Sequence, residues 1–96
     1  MGDNSVVAPM ANSPFNVVLA EARLERGLSR HQVARMAGFT PVFVASYEDV
    51  AINPTVRTLY KFARALGLRV VIDREGVTII DAVTCAIRLE RWNPEQ

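Results

Sequence analysis

The sequence predicts an α+β fold: four to five short helices followed by a β-hairpin and a third strand. Two observations carry that expectation. Between residues 14 and 68 apolar side chains recur at helical spacing, and the segments are punctuated by capping residues and by Gly27, Gly38 and Gly67. From Arg69 the period shortens to two around a short glycine-containing connection, the pattern of paired strands. The chain therefore divides into a flexible tail (1–13), a helical domain (14–68), a β extension (69–92) and a short C-terminal tail (93–96).

Residues 1–13 are small and polar, include Gly2 and Pro9, and show no sustained period. Order begins at Ser13, which precedes Pro14 in the cap-plus-proline arrangement that starts a helix; Val18, Leu19, Ala22 and Arg26 then repeat until Gly27. Ser29 caps a short second helix, with Val33, Ala34 and Ala37 as its apolar stripe and Gly38 at its end. Thr40 and Pro41 start a third helix through Tyr47 and Glu48. Val42, Phe43, Val44 and Tyr47 would also suit a strand, and the cap chemistry decides for the helix. Thr55 caps a fourth, VRTLYKFARAL, with Leu59, Phe62, Ala63 and Leu66 inside and Gly67 at its end.

RVVID and VTII then flank Arg74-Glu75-Gly76 as a hairpin. In DAVTCAIRLERW, Val83, Cys85, Ile87 and Leu89 alternate with Thr84, Ala86, Arg88 and Glu90, which favours a half-buried strand. Ala82, Cys85, Ala86, Leu89 and Trp92 would equally line a helix. A lone hairpin is marginal and leaves open edges, so the extension either packs on the helices or pairs across a homodimer. Trp92 is expected to close the core.

At 96 residues the chain has room for one modest core, half of its residues being apolar and 22% charged. No stretch is long and apolar enough for a membrane span. The N-terminal segment has no Lys or Arg before Arg23 and no apolar core, so it does not read as a secretory signal, and a cytoplasmic location is expected. With one cysteine, Cys85, and one histidine, His31, neither an intramolecular disulfide nor a zinc set can be assembled. There is no Ser-His-Asp or Cys-His pairing to propose and no glycine-rich phosphate loop, so no metal, cofactor or catalysis is expected. Cys85 reads as a small core residue, and Asp73, Glu75 and Asp81 as solvated carboxylates around the hairpin. The net charge of +1 is low for a nucleic-acid binder, although residues 14–68 carry seven basic against four acidic side chains.

GLSRHQVARMAGFTPVFVASYED followed by NPTVRTLYKFARALGL resembles the helix-turn-helix of the phage-repressor Cro/cI type, also called XRE. The resemblance spans residues 15–68, with Leu28, Ser29, Val33, Ala34, Gly38, Val44, Glu48, Pro54, Leu59, Ala63, Leu66 and Gly67 in register. It implies that Arg23 and Glu48 form an ion pair tying the first helix to the end of the third, a structural role because a half-buried charge needs its partner. It also implies that the third helix is the one presented to the DNA major groove. The positions so placed are Pro41, Val42, Ala45 and Ser46, with Phe43 alongside. Only Ser46 and the cap residue Thr40 carry hydrogen-bonding groups, and none makes the bidentate contacts by which Arg, Asn or Gln read purines.

Where such proteins usually carry a basic loop after that helix, this chain has Asp49, Val50, Ala51 and Ile52, which removes phosphate contacts. Arg30 is the candidate phosphate contact that survives, with His31 and Arg35 beside it, although exposed helices often carry such charges as a solvated face. Val42, Phe43, Val50 and Ile52 are expected to form a contiguous outward apolar patch of the kind that binds proteins.

Two functions follow. The first is transcription control by binding and inhibiting a transcriptional activator through Pro41, Val42, Phe43, Ser46, Val50 and Ile52; a broader resemblance to small antiactivators of mobile-element transfer points the same way. The second is a dimeric DNA-binding repressor or antitoxin that contacts its operator through Arg30, His31, Arg35, Thr40 and Ser46.

Overall fold

Side-chain caps start three of the four helices, and left-handed glycines end two of them. The computed structural model describes residues 14–93, so the expected tail at 1–13, the Ser13 cap and residues 94–96 lie outside the described residues. Helix α1 (Phe15–Glu25) begins after Pro14, and α2 (Arg30–Ala37), α3 (Pro41–Asp49) and α4 (Val56–Leu66) follow. Ser29, Thr40 and Thr55 each accept a hydrogen bond from the backbone N–H three residues on. At Ser29 the Gln32 side chain answers by accepting from the Ser29 N–H at 2.7 Å, a complete capping box. Gly38 leaves α2 in the left-handed conformation, φ +80°, which turns the chain sharply into α3.

The buried faces of these helices make one core around Phe15, Leu19, Val33, Val44, Phe62 and Leu66. Three strands follow, β1 (Leu68–Asp73), β2 (Gly76–Asp81) and β3 (Ile87–Trp92), as an antiparallel sheet in the order β1-β2-β3. Strand β2 alternates as its period predicts, turning Val77, Ile79 and Asp81 inward. Val77 and Ile79 join the helical core, and Trp92 stacks on Phe15 with ring centres 6.3 Å apart. The extension is thus packed on the helices. Among the described residues no helix is long and apolar enough to cross a membrane.

Three expectations need correction. The last strand does not run from Val83; it starts at Ile87, because residues 82–84 are a turn organised by Asp81. The Asp81 carboxylate accepts from the N–H groups of Val83 (2.8 Å) and Thr84 (3.1 Å), while the Cys85 N–H donates to the Asp81 carbonyl at 2.8 Å. These local bonds outweigh the alternation, leaving Val83 80% exposed and Cys85 exposed at φ +65° rather than in the core. Asp81 itself is no solvated carboxylate: it is 1% exposed and takes the guanidinium groups of Arg26 (3.0 Å) and Arg88 (2.9 Å). Arg88 also pairs with Glu25 of α1, so one carboxylate fastens the turn, β3 and α1 together.

Two predictions follow from these contacts. A Cβ on Gly76, whose φ is +134°, would lie 2.6 Å from the Trp92 carbonyl oxygen, whereas one on Gly38 would meet nothing within 4 Å. In urea denaturation Gly38→Ala should cost about 1 kcal/mol, the strain of the left-handed backbone alone, and Gly76→Ala distinctly more. Arg88 foremost, then the Thr84 amide, Arg26 and the Val83 amide hold the Asp81 carboxyl well below the usual carboxylate range. A carboxyl depressed in the folded state stabilises above its unfolded value and loses that contribution as pH falls toward the folded one. The melting temperature should therefore fall as the pH drops below about 4, the unfolded aspartate range. Asp81→Asn should lower it at neutral pH and flatten that acid limb.

Candidate functional site

The α2–turn–α3 unit is held from beneath by charge. Glu48, in the last turn of α3, is a buried carboxylate that meets Arg23 of α1 through two bonds, Nε to Oε2 at 2.7 Å and Nη2 to Oε1 at 3.0 Å. The third Arg23 nitrogen donates to the Leu28 carbonyl at 2.8 Å, fixing the link between α1 and α2. Arg30 of α2 adds a bond to Glu48 Oε1 at 3.0 Å and then grips Asp49 with both terminal nitrogens, at 2.8 and 3.3 Å. Asp49 and then Glu48 raise the Arg30 pKa above its ordinary value, so this side chain is held as an intramolecular cation.

That arrangement departs from the expected free phosphate contact. The carboxylate of Asp49, at the end of α3, occupies the guanidinium. His31 and Arg35 remain exposed on α2. The two hydroxyls of the reading positions are engaged locally: Thr40 Oγ1 accepts from the Phe43 N–H at 3.1 Å, and Ser46 Oγ donates to the Val42 carbonyl at 2.9 Å.

The apolar positions divide. Val42 is 75% exposed and Val50 55%, with Met36 of α2 and Leu24 of α1 also exposed. Phe43, expected to point outward, is half-buried, with its ring 4.3 Å from Phe39 and 4.9 Å from Tyr47. The reason is an aromatic seam that runs on to Phe62 and Phe15, which offers Phe43 more buried contact than solvent does. Pro41, Ser46 and Ile52 are also partly buried, which leaves Val42, in the first turn of α3, and Val50, just after its last, as the exposed members of the expected patch. Among the described residues no three of His, Cys, Asp and Glu are grouped to hold a metal.

Sequence reasoning missed the Arg30–Asp49 pair, which joins residues 19 apart with no periodic signal between them. It also missed Met36 and Leu24. Their exposure follows from which faces α1 and α2 turn to α3 and α4.

A helix-turn-helix family model matches residues 19–71, more than half the chain, and the chain belongs to this Cro/cI-type family. It is 43% identical over 49 residues to the uncharacterized HTH-type transcriptional regulator y4dJ of Sinorhizobium fredii; the match covers 51% of this chain and 64% of that protein's length. Among solved structures, the wild-type restriction–modification controller protein C.Esp1396I superposes with a TM-score of 0.53 at 22% identity, covering 56% of this chain and 70% of that one. An arginine-to-alanine mutant of the same controller gives 0.56 at 21% identity, covering 60% and 74%. These structures share the fold of the helical unit.

The geometry separates three substitutions by chemical denaturation. Arg23→Ala should cost about 2–4 kcal/mol by weakening the hold on the buried Glu48, and Phe43→Ala about 2 kcal/mol through lost aromatic contact. Val42→Lys should stay within about 0.5 kcal/mol of the parent.

Proposed function

We propose that this chain controls transcription as an antiactivator, without catalysis. Its α3 tip and the loop after it bind a transcriptional activator protein instead of reading an operator. The observation that carries this reading is the capture of Arg30 by Asp49 and Glu48 beside the exposed Val42 and Val50. A major-groove reader needs free cations for phosphate and side-chain donors or acceptors for base edges. This tip has its nearest arginine neutralised, its two hydroxyls bonded within the helix, and branched aliphatic side chains outermost. Exposed aliphatic groups set among polar ones are what a protein partner covers. The site of action is the cytoplasm, where an activator meets its promoter.

A second reading, a dimeric repressor or antitoxin of the Cro/cI type, is favoured by the exposed His31 and Arg35. Titration of the purified chain against random and own-promoter DNA at about 50 mM salt, where phosphate-driven binding is strongest, divides the two. The antiactivator reading expects no saturable binding at micromolar protein. It also expects that a transcriptional activator from the same genome binds the parent and loses about tenfold or more in affinity for Val42→Lys/Val50→Lys, as when a central apolar anchor is removed. DNA binding that fades steeply with rising salt would restore the repressor.

A further inference from the structure

The sheet is narrower than the helix it packs on. Leu59, Phe62, Ala63 and Leu66 of α4 are buried in the core, but a second ridge runs beside them, with Val56, Tyr60 and Arg64 at one-turn spacing. Val56 is 67% exposed and Tyr60 58%. Between this ridge and β1 lies a groove of about 350 Å³, walled on the strand side by Val70 and Ile72.

The strand beside the groove is also an open edge of the sheet. β1 pairs with β2 along all six residues with no register shift, and β2 lies between β1 and β3. Extending the same register, the Ala82 N–H donates to the Gly67 carbonyl at 3.0 Å, which assigns the odd-numbered residues of β1 to the hydrogen-bonded pairs with β2. Val70 and Ile72 therefore turn their N–H and C=O groups away from β2, and their side chains line the groove. Edge strands are normally blunted by lysine, proline or a bulge, and LRVVID has none of these.

Charge marks one end of the groove. Helix α4 carries Arg57, Lys61 and Arg64 and no acidic residue. It meets β1 at Gly67, so Arg64 and Arg69 stand at the same end. Both are exposed, and among the described residues neither belongs to an ion pair; the Arg64 guanidinium lies over the Tyr60 ring, 5.9 Å from its centre. At the hairpin end Asp73 accepts from the Glu75 N–H at 2.8 Å. The groove thus offers an apolar floor, a row of unpaired backbone groups along one side, and two arginines at the Gly67 end.

We propose that this groove receives an extended segment of a partner protein, added antiparallel to β1 as a fourth strand. Its inner side chains are apolar and cover Val56 and Tyr60, its outer ones are polar, and carboxylates at its C-terminal end meet Arg64 and Arg69. Backbone bonds to Val70 and Ile72 supply attachment, and the alternation and the acidic end supply selectivity. The surface is separate from the α3 tip, and the proposal stands whether that tip meets protein or DNA.

The probe is the capped peptide Val-Thr-Ile-Thr-Val-Glu-Glu, titrated at low salt into the isotope-labelled full chain. The amides of Tyr60, Val70 and Ile72 should move saturably, with a dissociation constant at or below about 1 mM. Replacing both glutamates of the peptide by lysine should weaken binding about fivefold or more, and Arg64→Glu should reverse that preference. Val70→Pro removes an outward N–H and should abolish binding of either peptide. Circular dichroism checks that the variants are folded; should Val70→Pro fail to fold, Arg64→Glu, at an exposed position, decides by itself. Four results would each overturn the proposal: no saturable shift at β1, equal affinity for the two peptides, shifts confined to α3, or movement of the β1 amides on dilution without peptide, which would give the edge to a second copy.

Discussion

Glu48 is a carboxylate buried at the end of α3, and a buried charge must be paired or it is ruinous. Meeting that demand organises the helical unit. Arg23 answers from α1 and Arg30 from α2, so one acidic side chain sets the positions of three helices relative to one another. The same contact has a functional consequence. Arg30 stands at the start of α2, where a phosphate contact would be useful, and Glu48 with its neighbour Asp49 holds the guanidinium in place. The interaction that makes the fold rigid is also the one that withdraws a cation from its recognition face.

Asp81 repeats the device at the other end of the molecule. Its carboxylate collects Arg26 from just past the end of α1, Arg88 from β3 and two amides of the intervening turn, so the sheet is fastened to the helices by charge as well as by the Val77, Ile79 and Trp92 contacts. Two acidic residues thus divide the architecture between them. Glu48 locks the helices and Asp81 locks the sheet onto them, while the apolar core fills the space both define.

The helices were legible because their signals are local. Ser29, Thr40 and Thr55 cap through the residue three positions on, and Gly38 and Gly67 take left-handed angles that other residues resist, so a few neighbouring positions suffice to place each boundary. The hairpin was legible for the same reason. The path from Asp81 to Ile87 was not, because alternation of Val83, Cys85 and Ile87 imitates a strand while the deciding bonds come from one carboxylate. The recognition face was half legible. Composition alone showed that Val42 and Val50 are poor readers of bases, but the inward turn of Phe43 depends on Phe39 and Phe62, and the neutralisation of Arg30 on a residue 19 positions away. Contacts between distant segments leave no period in the sequence.

We propose that α3 and its following loop meet a protein and not DNA. Amide chemical shifts of the isotope-labelled chain, followed as own-promoter DNA and then a purified transcriptional activator from the same genome are added at low salt, test it most directly. The activator should move the amides of Val42, Ser46 and Val50 while DNA leaves α2 and α3 unchanged. Shifts at Arg30, His31, Arg35 and Thr40 on adding DNA, reversed by salt, would contradict it.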